Sequence, residues 1–548
     1  MNYLSFIALY FRTIRHLKII QIFARIKFKL FTPKLDTCTL PSRSFKFSSQ
    51  IQSARRETNL FGPNNFILLN QPGDCNDIGW QDQQRSKLWR YNQHYFDDLN
   101  AIDAKLRKVW HLGLIDSWIN ENPPSVGVGW EPYPTSLRIV NWIKWDNAQN
   151  QITNKMSESL ALQARWLSKR IEWHLLGNHL FANAKALIYA GLYFEGKEAR
   201  QWLSMGFQIL KSQVKEQILI DGGQFELSPM YHALALEDLL DLTNICQNNS
   251  HQLTACEFEQ LRSWPKIIVK MLNWLKAVSH PDGKISFFND AAFSIAPENN
   301  ELISYAKRLG FVSLNPNNGV TDLKHSGLVR LQTDKAVVIF DSAKIAPDYL
   351  PGHAHADTLS FEFSIDSQRI FVNSGTSVYG LGKERLRQRG TAAHNTVIVN
   401  AQNSSEVWSG FRVGNRARIL ERESGIEDSE IYAHGTHDGY ARKNGGLLHT
   451  RKLYLSENSL RVSDIISKPL SADVRYHLHP DIQICCLEGK KAVLIMPNGK
   501  KIKLIVDGAK DFNFVQSTWH PEFGASVQSK CLVVKFEGYS CKLVINWD

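Results

Sequence analysis

The sequence predicts a multidomain α-then-β protein, a helical N-terminal domain followed by a large antiparallel β-sandwich. Three observations carry this. The chain has 548 residues, a length that suggests two or three domains. From about Leu88 to Leu309 apolar residues recur at three- and four-residue spacing, as in "SLRIVNWIKW" and "ALALEDLLDLTNIC". After about Gly327 the period changes, and "LVRLQTDKAVVIFDSA", "LSFEFSIDSQRIFVNSG" and "CLVVKFEGYSCKLVINW" alternate or run β-branched between turn residues. All helices before all strands means separate domains, not one interleaved sheet. The expected boundaries are a basic arm over 1–60, a helical domain over 61–320 and a β domain over 321–548.

The arm accounts for most of the charge. The whole chain is +11, and residues 1–60 hold eleven Lys and Arg against Asp36 and Glu57 alone, a net +9. The pI of 9.1 therefore describes the arm and not a basic cleft. The uncharged run from Met1 to Phe11 is too short to cross a bilayer, and its positive charge follows the apolar run where a secretory signal would carry it first. No cleavable signal peptide is read. Ile19, Ile20, Ile22, Phe23, Ile26 and Leu30, interspersed with Arg and Lys, suit an amphipathic helix, either on an anionic membrane surface or packed on the main body.

In the helical region, the segments "ESLALQARWLSKRIEWHLL", "NAKALIYAGLYF" and "ARQWLSMGFQILKSQVKEQI" add further helices, in numbers that suit a bundle, a solenoid or a closed ring. The β region, about 220 residues long, is large enough for a sandwich. The eight cysteines form no C-x-x-C pair and read as reduced thiols.

Four clusters could carry chemistry. In "LLGNHLFANAKAL" (175–187), Asn178, His179 and Asn183 interrupt an otherwise apolar helix, and Gly177 weakens it further; a buried polar helix face is more often structural than catalytic. In "DGGQFELSPMYHALALEDLL", Ser228 and Pro229 open a helix and place Tyr231 in its first turn, where the helix dipole favours a phenolate. In "PGHAHADTLSFEF", an extended backbone would put His353, His355 and Asp357 on one face, a pattern for metals or proton transfer; surface histidines are the plainer reading. In "RLRQRGTAAHNTVIVN", Arg385, Arg387 and Arg389 precede His394 and Asn395, and a solvated basic loop is the alternative.

Together, "LWRYNQHYFDDLN", "WEPYPTSLRIVNWIKW", "GNHLFANAKAL", "SPMYHALALEDLLDL", "GHAHADTLSFEF" and "GTAAHNTVIVN" resemble the heparinase II/III-like family over roughly residues 85–415. The resemblance implies an N-terminal incomplete (α/α) toroid followed by a large antiparallel β-sandwich. It also implies a polysaccharide lyase acting on an acidic, uronic-acid polymer by β-elimination, with no cofactor required. Asn178 and His179 match the residues that bind the uronate carboxylate, while Tyr231 and His353 match the proton-transfer pair. Glu131, Tyr133, Arg138 and Arg389 are the expected substrate contacts. Some members carry a metal, and His355, Asn373 and His394 match those ligand positions. Asn373 stands where Asp is usual, and Asp357 is the nearby substitute for a structural Zn or Ca. The resemblance further implies a bacterial envelope setting, periplasmic in many members. With no cleavable signal read, a cytoplasmic or membrane-peripheral place is the alternative, and the basic amphipathic start resembles proteins of surface-polysaccharide production, which implies a role in trimming a capsule or exopolysaccharide.

Competing readings follow from the same residues. A non-catalytic glycan-binding or surface-polysaccharide assembly protein could share the scaffold. A glycoside hydrolase needs two opposed carboxylates, and nothing in the spacing pairs Glu131, Asp221 and Glu226. Nucleic-acid binding is not expected, because the chain beyond the arm is close to neutral and holds no recognised module.

Overall fold

The structure, a computed structural model, describes residues 3–48 and 50–548. A helical toroid is followed by an antiparallel β-sandwich. After two arm helices, α1 (Tyr3–Ile14) and α2 (Ile19–Leu30), come the short α3 (Cys75–Ile78) and α4 (Lys87–Gln93). The ring itself is built from α5 (Lys108–Glu121), α6 (Pro132–Gln149), α7 (Asn154–Lys169), α8 (Gly177–Tyr193), α9 (Lys197–Gln217), α10 (Pro229–Asn248), α11 (Ala255–Ala277) and α12 (Asn299–Arg308). Their apolar faces fill one core rich in buried tryptophan, including Trp118, Trp142, Trp145 and Trp264. The segment "RIEWHLL" is not helical: α7 ends at Lys169, and Leu176 and Gly177 turn the chain with positive φ before α8 starts.

Polar residues also hold the toroid. Asp241 of α10 is fully buried and accepts from Lys144 of α6 at 2.8 Å, Lys185 of α8 at 2.6 Å and the Tyr305 hydroxyl of α12 at 3.0 Å. Burial alone would raise its carboxyl pKa, but the two ammonium groups overcome this and hold it at about 2. One carboxylate thus ties four helices together.

The β domain holds two antiparallel sheets. Five strands between Gly319 and Phe371 form a meander in chain order. A ten-stranded sheet is built around two long strands, Ser459–His477 and Val527–Trp547, which pair along most of their lengths. Alternate residues of both sheets, such as Phe340, Phe363, Val462, Val534 and Leu543, interleave in one core. A further helix, α13 (Lys383–Arg389), sits beside the interdomain groove.

The arm packs on both domains. Arg12 makes a bidentate pair with Glu406 at 2.9 and 2.7 Å, and Thr13 accepts from the Trp408 indole at 3.0 Å, both on the β side. Lys18 pairs with Glu216 of α9 and lies 3.9 Å from the Tyr349 ring centre. Arg170 donates to the Phe28 carbonyl at 3.0 Å on the toroid side. The arm therefore bridges the domains, yet it leaves Ile19, Phe23 and Leu30 exposed by 72%, 69% and 82%. No helix among the described residues is long and apolar enough to cross a membrane. Met1 and Asn2 of the N-terminal apolar run lie outside the described residues.

Replacing the hub carboxylate tests this account of the toroid. Asp241→Asn leaves the buried Lys144 ammonium without its counter-charge, while Lys185 keeps Asp238, and should cost about 3–5 kcal/mol. Urea unfolding followed by tryptophan fluorescence should show the loss. A change below about 1 kcal/mol, within reach of an ordinary surface substitution, would show that the hub is not needed.

Candidate active site

A cleft of about 1550 Å³ opens between toroid, sandwich and arm. It exceeds the ~300–1000 Å³ of a small-molecule pocket, so it has room for several linked sugar rings. Asn178, His179, Tyr133, Tyr231 and His353 all line it.

Asn178 and His179 lie in the first turn of α8, so they do not interrupt a helix interior. Gly177 has φ +56°, a backbone conformation that favours glycine, and a Cβ there would come within 2.4 Å of Leu350 Cδ2 from the β domain, so the Leu350 side chain would have to move. The start of α8 has no side-chain cap. Its N–H groups and the positive end of the helix dipole favour a carboxylate there. The half-buried His179 presents Nδ1 to Glu172 Oε1 at 3.1 Å, and its ring centre lies 4.5 Å from that of Tyr133. Burial would lower its pKa, but the Glu172 carboxylate overrides burial and raises it, which favours an imidazolium at the cleft. Asn183, one turn on, is fully buried: its amide donates to Glu172 Oε2 at 3.1 Å and its oxygen accepts from the Glu172 N–H at 2.9 Å. It fixes the partner of His179 and does not face the cleft.

Tyr231 stands as the sequence suggests. Ser228 caps α10, its hydroxyl accepting from the Tyr231 N–H at 3.2 Å. The phenolate expectation fails, because burial, then the neighbouring Tyr379 and Asp290, push the hydroxyl far above its ordinary value near 10. The low dielectric and nearby negative charge outweigh the helix dipole. Tyr231 is therefore a neutral proton donor, 2.9 Å from the Tyr379 hydroxyl. Its ring stacks on His353, with centres 3.9 Å apart and 12° between planes. Glu226 accepts from His353 Nδ1 at 2.6 Å. With Nδ1–H so held, Nε2 of a neutral ring carries the free lone pair.

The one-face expectation for His353, His355 and Asp357 needs correction. Residues 351–360 form turns, not a strand, so the two histidines diverge. His353 faces the cleft. His355 is buried, with Nε2 2.7 Å from Asp290 and Nδ1 3.3 Å from His394 Nε2. His355, Asp357 and His394 bring one ligand atom each within 4.8 Å of one another. Two nitrogens on a tetrahedral zinc, at bonds of about 2.0–2.1 Å, would stand roughly 3.3–3.4 Å apart. The nitrogen spacing is that of two ligands on one zinc, the donors suit zinc better than calcium, and the three residues leave the fourth position of a tetrahedral site to another group. Asn373 is not the third ligand: its oxygen accepts from the Asn395 N–H at 3.2 Å and its amide donates to Ser360. Asp357 takes that place. A metal here would brace the loop that carries His353, while Asp290 orients His355 from behind.

Two expected substrate contacts are also corrected. Arg138 is fully buried over the Trp118 ring, 3.8 Å away, and donates to Gln163 and the His94 carbonyl. Arg389 is fully buried and donates to the Ala354 and Gly410 carbonyls. Both shape the backbone near the cleft and reach no ligand. The basic run is not a solvated loop either, since Arg385 is buried against Asp290. Glu131 sits at the rim, 2.8 Å from Lys87 and bonded to Tyr91. Asp221 accepts from the Ser326 N–H at 2.7 Å and is structural, so no opposed carboxylate pair emerges with it. Sequence reasoning missed Glu172, Asp290 and Tyr379, which belong to none of the short motifs.

A toroid and a sandwich enclosing a Tyr–His cleft define a scaffold class, and comparison with known proteins places the chain within it. Residues 57–315 match the heparinase II/III N-terminus and residues 315–548 match the heparinase II/III-like C-terminal domain. The chain belongs to the heparinase II/III-like family. Among curated relatives, a heparin-sulfate lyase of Pedobacter heparinus is 25% identical over 386 residues, covering 64% of this chain and 56% of that protein. The FtsZ-localized protein C of Caulobacter vibrioides is 25% identical over 448 residues, covering 75% of this chain and 73% of that one. The chain spans about half the length of the curated lyases it matches. A crystal structure of heparinase III superposes with a TM-score of 0.70 at 18% identity, covering 96% of this chain and 89% of that one, a likeness of fold.

The raised pKa of His179 gives a pH test. Stability from its pairing with Glu172 is fully present below 6.5 and is lost as pH rises through the higher folded value. In Glu172→Gln the main carboxylate charge is gone and only Glu226 still opposes burial. The His179 titration, followed by imidazole proton NMR, should move to lower pH. An unmoved titration would remove Glu172 as the cause.

Proposed function

We propose that this chain is a polysaccharide lyase that cleaves a uronic-acid-containing acidic polysaccharide by β-elimination. The observation that carries the reading is the stacked Tyr231–His353 pair, placed in one cleft with His179 and Asn178. In the proposed reaction His353 Nε2 takes the C5 proton of the uronate. The electron pair left at C5 forms the C4–C5 double bond, and the C4–O4 bond breaks. Tyr231, kept neutral by burial, gives its proton to the departing O4 and is re-protonated from solvent, with Tyr379 adjoining it. Charge building on the uronate carboxylate falls on the His179 imidazolium, the Asn178 amide and the first turn of α8. A well-placed donor there lowers the barrier by roughly 3–4 kcal/mol. Elimination needs no hydrolytic water, so any metal at His355, Asp357 and His394 would serve structure.

The second reading is a non-catalytic glycan-binding or surface-polysaccharide assembly protein on the same scaffold, and one relative, the FtsZ-localized protein C, is not named as a lyase. One assay separates them. A lyase gives unsaturated uronide with far-ultraviolet absorbance from a panel of heparan sulfate, hyaluronan, alginate and bacterial exopolysaccharides, and an assembly protein gives none. Tyr231→Phe should lose at least ~10²-fold in turnover with its melting temperature unchanged. Wild-type turnover in that variant would end the assignment of Tyr231.

The proposed setting is a membrane surface of the bacterial envelope. The exposed Ile19, Phe23 and Leu30, among the basic residues of α2, fit an anionic bilayer. The full chain should co-sediment with phosphatidylglycerol vesicles and not with phosphatidylcholine ones. The double substitution Ile19→Glu with Phe23→Glu should abolish that binding. Equal binding to both lipids would refute the anionic preference, and binding to neither would refute membrane docking.

A further inference from the structure

Helix α2 buries a polar side chain and exposes its apolar ones. Of its 12 residues the buried one is Gln21, 2% exposed, while Ile19 and Phe23 on either side of it stand in solvent. Burying an amide where an isoleucine could go costs free energy unless the amide is hydrogen-bonded. Two backbone groups satisfy this one. Gln21 Oε1 accepts from the Lys18 N–H at 3.0 Å, closing the start of α2, and its Nε2 donates to the Tyr349 carbonyl at 3.3 Å. Lys18 reaches the same residue, with Nζ 3.9 Å from the Tyr349 ring centre and paired with Glu216 of α9. The Tyr349 hydroxyl donates to Glu216 at 2.7 Å. The arm therefore grips Tyr349 by its carbonyl and its ring.

Tyr349 sits in the turns that lead to His353. This segment has no strand ladder: the Leu350 N–H donates to the Pro347 carbonyl at 3.0 Å and the Ala354 N–H to the Pro351 carbonyl at 3.2 Å. Among the described residues no backbone N–H reaches the Tyr349 carbonyl, so Gln21 is its donor. The loop touches both halves of the candidate site. Leu350 packs on Gly177, directly before Asn178 and His179, and the Gly177 carbonyl accepts from Gln217, the neighbour of Glu216, at 2.9 Å. Further along the same loop His353 stacks on Tyr231. The Tyr349 ring centre lies 6.2 Å from that of Phe225, whose neighbour Glu226 holds His353 Nδ1. A shift at Tyr349 is thus passed to the base and to the start of α8 together.

We infer that Gln21, assisted by Lys18, is a positioning residue: the arm holds the loop over residues 347–353 and so sets His353 against the uronate bound at the start of α8. The arm precedes the segment that matches the family, which begins at residue 57, so this hold is an addition to the shared scaffold. The inference rests on the lyase reading for the role of His353. It does not rest on that reading for the hold of the arm on the loop.

Gln21→Glu tests it in the full chain. The variant keeps an oxygen for the Lys18 N–H but offers no donor to the Tyr349 carbonyl. Hydrogen exchange read by mass spectrometry should quicken at least ~10-fold over residues 347–354 and stay unchanged in the ten-stranded sheet, because the opening is local. On whichever polymer of the panel the wild type cleaves, kcat should fall roughly 10- to 100-fold with KM within about 2-fold, the pattern of a base displaced by less than about 1 Å. Arg12→Leu, which frees the arm from Glu406 on the β side, should leave both readouts at wild-type values. Unchanged exchange in Gln21→Glu, faster exchange with wild-type kcat, or an equal effect of Arg12→Leu would overturn the inference. A wild type that yields no unsaturated product from any polymer would remove the lyase reading instead, and exchange alone would then decide whether the arm holds the loop.

Discussion

The cleft depends on one buried carboxylate between the domains. Asp290 sits in a loop after α11 and is fully buried. Burial would push its carboxyl up, but Arg385 and His355 reverse this and hold it far below the usual range. Arg385 binds both of its oxygens, and His355 donates to one of them. The backbone of Asp290 does the positioning. Its carbonyl accepts from the Ser228 hydroxyl, which also caps α10 beneath Tyr231. Its N–H donates to the His353 carbonyl at 2.9 Å. Both members of the Tyr231–His353 stack thus hang from one residue whose charge is matched only when the sandwich is docked on the toroid. Asn289 extends the link, donating to the Leu227 carbonyl and accepting from the His355 N–H.

This arrangement explains why strong groups stand behind the cleft and softer ones face it. Arg385, Arg389 and Arg138 are buried and spend their donors on Asp290 and on backbone carbonyls. A guanidinium has five N–H donors in a fixed fork, so it can tie several strands of irregular chain at once. The loops at the domain junction have no ladder of their own to satisfy their carbonyls. Buried arginines supply what secondary structure does not. The groups gathered around the Tyr231–His353 stack are the Asn178 amide, the His179 imidazole and phenols, while charged side chains line the rest of the cleft.

Much of the fold was legible in the sequence because period is a local property. The switch from helical to alternating spacing near Gly327 marks the domain change, and Ser228–Pro229 marks the start of α10 by cap chemistry alone. The site was legible only as far as its motifs reached. Asn178, His179, Tyr231 and His353 share one cleft, but Glu172, Asp290 and Tyr379 lie in stretches with no distinguishing pattern. Arg138 and Arg389 misled for a related reason. An arginine that binds a ligand and one that binds carbonyls look alike until burial is known. Tyr231 shows a different limit: the helix start was readable, but the burial that outweighs its dipole comes from the other domain.

Charge is divided between two surfaces, and this bears on how one chain could hold a polymer and a membrane at once. The arm carries nearly all of the net positive charge, and apart from Arg25, Arg55 and Arg56 its cations lie outside the cleft, around exposed isoleucine and phenylalanine. The cleft itself is close to balanced. Were all of the arm's cations inside the cleft and unpaired, an acidic polymer would bind wherever it touched, with no difference between its ground state and its transition state. Uniform binding of that kind lowers KM without speeding the chemical step. Most of the cleft's cations are paired with carboxylates, which in the proposed elimination leaves His179 and the start of α8 as the positive features beside the uronate. Their effect then grows as charge builds on the carboxylate, which is where stabilisation accelerates the reaction.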